Sequence, residues 1–168
     1  MKYIFIVQGE GRGHMTQALT LASLLRGRGH EIVKVLVGKS PNRKLPGFFL
    51  DGIAAPVIQF ESMNFMPSSD NRKPNMVSTV LFNSFNMHRY YPSMQLIRDE
   101  VRASKADVVV NFYELLAGMT YFFYDMEIPM VSIGHQYLFF HKDFGLPRHK
   151  YPGSVALDLF SKLTSVGS

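Results

Sequence analysis

Apolar and polar positions along the chain fall into two alternating kinds of segment. Tyr3-Ile4-Phe5-Ile6-Val7 is an unbroken apolar run, and such runs mark strands buried on both faces of a parallel sheet. After a glycine-rich break, Ala18, Leu21, Ala22 and Leu25 recur at i, i+3, i+4 and i+7, which predicts a helix over 15–28. Arg26 and Arg28 suit its carboxyl end, and Gly29 suits its C-cap. Further strands are predicted at Ile32 to Val37, Val57 to Phe60, Asp107 to Phe112 and Pro129 to Ile133. Between them lie a short helix around Phe48, a long one from Val77 to Ser104 bent before Pro92, and a compact one from Leu115 to Tyr124. A closing helix is predicted from Val155 to Val166. Glu61 to Asn75 and Gly134 to Gly153 read as loops.

Strands alternating with helices predict an α/β, Rossmann-like three-layer domain with a mostly parallel sheet and right-handed crossovers. Ligands of such sheets bind beyond the carboxyl ends of the strands. Gln8 to His14, Asn111 to Glu114 and Gly134 to Gln136 all fall at those ends, so they are expected to meet in space.

Composition narrows the class. The 168 residues suit one domain over 1–168, and 46% hydrophobic with 18% charged residues describes an ordinary globular chain. With no cysteine, disulfides, thiolate metal sites and a cysteine nucleophile are excluded. The opening residues carry no basic region followed by a cleavage site. The richest apolar stretch, Leu115 to Phe140, is broken by Asp125, Glu127 and Pro129, so a cytoplasmic location is expected. A net charge of +5 favours anionic partners such as phosphates or a membrane surface. Nucleic acid is not expected, because no Lys/Arg run or binding motif appears. There are ten methionines, fourteen phenylalanines and eight tyrosines, more than a core of this size needs. The aromatic segment Phe82 to Met94 is therefore a candidate groove or membrane contact as well as the buried face of a helix.

Candidate chemistry concentrates in Gly9-Glu10-Gly11-Arg12-Gly13-His14. A dinucleotide fingerprint would need glycine at 14, and an acidic residue where Val37-Gly38-Lys39 stands. A P-loop would need Gly-Lys-Ser/Thr. What remains is a turn whose glycines let a ligand approach the backbone, with free N–H groups at a helix start. The helix dipole and Arg12 disfavour a charged His14, so this imidazole suits a general base as well as a capping role.

The G-x-G-x-G-H pattern, with Leu24-Leu25 after it and Arg28-Gly29-His30-Glu31 at the helix end, resembles glycosyltransferases of the GT-B fold. It is similar to the family 28 enzymes and to the UDP-sugar-dependent transferases, and the resemblance covers about residues 2–136. It implies that this chain is the amino-terminal, acceptor-binding half of a GT-B fold. A carboxyl-terminal donor-binding domain is then expected outside it, in cis if this is a fragment or in trans in a split enzyme. The implied activity is inverting transfer from a nucleotide sugar to a lipid-linked or glycan acceptor, with no cofactor and no metal and with the isolated chain inactive. The implied catalytic residues are His14 as base, Asn111 where relatives carry an Asp that orients the histidine, and Glu114 or Glu10 as substitute charge. Glu114 equally suits the acid-favouring start of a helix. The implied substrate-binding residues are Gly11, Arg12, Gly13, Gly134, His135 and Gln136. His88, His141 and His149 have no partners at metal-ligand spacing. A non-catalytic recruiting subunit, a nucleotide-sugar epimerase half and a nucleotide-dependent oxidoreductase, for which the fingerprint is missing, are the competing readings.

Overall fold

The computed structural model describes residues 1–63, 87–134, 137, 162, 164 and 165. Its elements run β1 (Lys2–Gln8), α1 (Arg12–Arg26), β2 (Glu31–Lys39), α2 (Gly47–Ile53), β3 (Val57–Glu61), α3 (Met87–Ser104), β4 (Val108–Phe112), α4 (Leu115–Phe123) and β5 (Met130–Ser132). All five strands are parallel, in the order β3-β2-β1-β4-β5. The expected α/β, Rossmann-like domain is present.

Side chains alternating along each strand build two cores, one on each face of the sheet. Phe5, Val7, Val35, Val37, Val110 and Phe112 pack under α1 and α2, with Met15, Ala18, Phe49 and Ile53 opposite them. Ile4, Ile6, Leu36 and Val109 pack under α3 and α4, against Ile97, Val101 and Leu116. Phe5 and Phe112 meet edge to face, ring centres 5.1 Å apart, which locks β1 to β4 on the α1 side. Burial on both faces explains why the strands read as apolar runs rather than alternations.

Helix ends explain the differences from the predicted boundaries. α1 begins three residues before the predicted start at residue 15, because Gly11 caps it with extended backbone and no side-chain bond. It ends at Arg26 with Gly27 as its C-cap rather than the expected Gly29, which instead takes the left-handed turn two residues further on. Arg26 is not a mere dipole complement. Its guanidinium donates to the carbonyls of Ile53 and Ala54, closing the carboxyl end of α2. The described part of the long helix runs through Pro92, and residues 77–86 lie outside the described residues. Lys162 and Thr164 are helical and Ser165 is a turn, while residues 155–161, 163 and 166 of the predicted closing helix lie outside the described residues. No described helix is long and apolar enough to cross a membrane.

Candidate active site

The chain winds from β1 outward to β3, then crosses back to β4 on the other side of β1. The strand order therefore reverses between β1 and β4, and a crevice opens above their carboxyl ends. Four segments meet there. The Gly9 N–H donates to the Gly38 carbonyl at 2.7 Å, so the first loop lies against the end of β2. A Cβ on Gly9 would stand 2.9 Å from both that carbonyl oxygen and Val37 Cγ1, so this approach requires glycine. The Glu10 carboxylate accepts from the Ser40 N–H at 2.6 Å, and Gln8 Oε1 accepts from the Gly11 N–H at 3.3 Å. Ile133 donates its N–H to the Asn111 carbonyl at 2.7 Å, bringing the end of β5 and Gly134 alongside β4.

His14 lies in the first turn of α1 and is only 8% exposed. Its ring stacks on Tyr113, centres 5.5 Å apart and planes 18° from parallel. Tyr113 in turn meets Tyr137 edge to face at 5.5 Å, and the Tyr137 hydroxyl donates to Thr164 Oγ1 at 2.9 Å. Sequence reasoning missed Tyr113 and Tyr137. No residue spacing signals a stack assembled from three separate segments.

Asn111 is fully buried, with its amide turned to the backbone. Its Nδ2 donates to the carbonyls of Glu114 (3.2 Å) and Thr164 (2.9 Å), and its Oδ1 accepts from the Glu114 N–H at 2.8 Å. Both amide protons are thus committed, leaving an imidazole only the remaining lone pair of Oδ1.

Glu114 is fully buried and is the N-cap of α4, accepting from the Leu116 N–H at 3.1 Å. The same oxygen accepts from the Ser62 hydroxyl. Oε2 has no hydrogen-bond partner among the described residues and lies against Gly38, where a Cβ would come within 2.3 Å of it. Gly38 shares the face of Leu36, so the carboxyl sits on the α3–α4 side of the sheet, and α1 is on the other. Burial raises its pKa from 4.5 to about 7, helped by nearby Glu10 and opposed by the bonds from Ser62 and Leu116.

Among the expected substrate-binding residues, Gly11, Arg12, Gly13 and Gly134 border the crevice, with Arg12 and Gly13 exposed. His135 and Gln136 lie outside the described residues. Among the described residues no group of three acidic or histidine side chains could hold a metal ion.

The chain is thus a doubly wound, Rossmann-like α/β domain with a glycine loop and a histidine at its switch point. The sequence profile described as glycosyl transferase family 1 matches residues 1–156, and the chain belongs to that family. Among solved structures it is similar to CalG4, the calicheamicin glycosyltransferase, at 18% identity and a TM-score of 0.40. That match covers 96% of this chain and 42% of CalG4. It is also similar to Arabidopsis thaliana UGT89C1 complexed with UDP-L-rhamnose, at 15% identity and a TM-score of 0.43. This one covers 78% of this chain and 35% of that one. The chain thus spans well under half the length of these structures. No curated protein matches it in sequence.

Proposed function

We propose that this chain is the acceptor-binding half of an inverting glycosyltransferase, with His14 as general base. The observation that carries the reading is the place of His14: a nearly buried imidazole in the first turn of α1, at the crevice where the strand order reverses. An acceptor hydroxyl docked above the glycine loop gives its proton to the imidazole as its oxygen bonds to the anomeric carbon of the sugar. The bond from that carbon to the nucleotide phosphate breaks, and the phosphate leaves with the electron pair. The exposed guanidinium of Arg12 and the positive end of the α1 dipole suit an anionic part of the acceptor, such as a lipid-linked phosphate. Gly11, Gly13 and Gly134 keep the backbone open to it, and the same acceptor-binding role is proposed for His135 and Gln136, the next two residues in sequence.

A donor-binding half holds the nucleotide sugar, in cis or in trans, and the 168 residues by themselves are expected to show no turnover. Asn111 shapes the turn beside His14. Glu114, turned to the opposite face of the sheet, caps α4 and is not assigned the role of supplying charge to the base. The test is product stereochemistry. The complete transferase is given an α-linked UDP-sugar, and the anomeric proton coupling of the product is measured by NMR. A β-linked product is expected; an α-linked one contradicts the base mechanism.

A further inference from the structure

The geometry points to Tyr113 as the positioning residue of this site, its ring holding the His14 imidazole and stabilising it when it carries the extra proton. The role rests on the reading of His14 as the base.

Tyr113 has a φ of +61°, a left-handed backbone that bulky L-residues rarely adopt. The other two non-glycine residues with positive φ among those described are Ala54 and Lys105, each just after the last residue of a helix, where such a turn is ordinary. Tyr113 instead lies between a strand and a helix. What holds it there is the Asn111 side chain, which accepts from the Glu114 N–H at 2.8 Å and donates to the Glu114 carbonyl at 3.2 Å. The Glu114 cap on α4 fixes the far end of the turn. Glycine would take this conformation without strain. A tyrosine here places a ring, only 3% exposed, flat against His14, with Tyr137 closing its edge.

A cation within about 6 Å of an aromatic centre is attracted to the negative face of the ring. The 5.5 Å separation and near-parallel planes meet that condition once the imidazole is protonated. The proton arrives from the acceptor hydroxyl during transfer, so the attraction strengthens as the charge develops. Among the described residues, the ionisable groups around this corner are Glu10, Arg12, Glu114 and Tyr137. Glu10 is engaged by Ser40, Glu114 by Ser62 and Leu116, and Tyr137 by Thr164.

The experiment follows the His14 Cε1 proton by NMR through a pH titration of this chain, which needs no catalysis. It compares wild type, Tyr113→Phe, Tyr113→Leu and a chain with 3,4,5-trifluorophenylalanine at 113. Phe keeps the negative face, the fluorinated ring keeps the shape but loses that face, and Leu loses the ring. The titration midpoint is expected to stay in Phe and to drop by roughly half a unit to one unit in the other two, a three- to tenfold loss of proton affinity. An unmoved midpoint in the fluorinated chain overturns the proposal, and because that ring keeps its shape the comparison holds even if the Leu variant does not fold. In the complete enzyme the Leu variant is expected to lose kcat with KM nearly unchanged, and Phe to restore it. A shifted titration in this chain alongside a complete enzyme that keeps its activity without His14 would sink the reading of His14 as the base and leave the hold of the Tyr113 ring on the imidazolium standing.

Discussion

Glu114 is a carboxyl group with no exposed surface, one oxygen bonded to Ser62 and Leu116 and the other pressed on Gly38. Both contacts make predictions at the scale of single residues. Gly38→Ala would put a methyl group 2.3 Å from Oε2 and 2.8 Å from a Phe60 ring carbon, with little room to shift on either side. It should cost about 1–3 kcal/mol in a urea titration. The raised pKa of Glu114 makes stability depend on pH with a definite sign. The folded protein holds this proton more tightly than the unfolded chain does. Its contribution is therefore complete below the ordinary value of 4.5 and is lost as pH rises through about 7. Glu114→Gln keeps an oxygen for Ser62 and Leu116 and removes the ionisation. The variant should gain on wild type by on the order of 2–3 kcal/mol between pH 5 and pH 8. Parallel stability curves for the two proteins would show that the carboxyl titrates normally. That this acid reaches Gly38 was not legible in the sequence. The contact depends on β2 and β4 flanking β1, which no local pattern encodes; only its role at the helix start could be read from position.

Among the elements, the strands were legible to within a residue or two, because burial on both faces leaves unbroken apolar runs. α1 starts three residues before the predicted residue 15, because its cap is a bare glycine with no side-chain bond to announce it. Gly13 consequently belongs to the helix, and a Cβ there would meet no atom of the described residues within 4 Å. Its backbone φ is not positive. Neither turn geometry nor crowding in the fold demands a glycine at this place, although one inside a helix costs about 0.5–1 kcal/mol against alanine. Gly13→Ala should therefore raise the melting temperature and, in the complete enzyme, raise KM for the acceptor. A more stable protein with unchanged acceptor KM would mean that the glycine serves no ligand. At the other end of α1, Arg26→Met should cost about 1–2 kcal/mol, by leaving the last carbonyls of α2 without their donor.

For the whole molecule, convergence of distant segments was legible, because a parallel sheet with right-handed crossovers admits few arrangements. The first loop, the Asn111–Glu114 turn and the end of β5 do meet above the sheet. The ring stack from His14 through Tyr113 to Tyr137 was not legible, since it rests on a tyrosine held in a backbone state that sequence does not advertise. The family match and this crevice together make His14 the centre of the account. The most direct test is steady-state kinetics of His14→Ala in the complete transferase. Removing a general base should lower kcat by about 10²–10⁴-fold, with KM for donor and acceptor within a few-fold of wild type. A kcat within a few-fold of wild type would contradict the account.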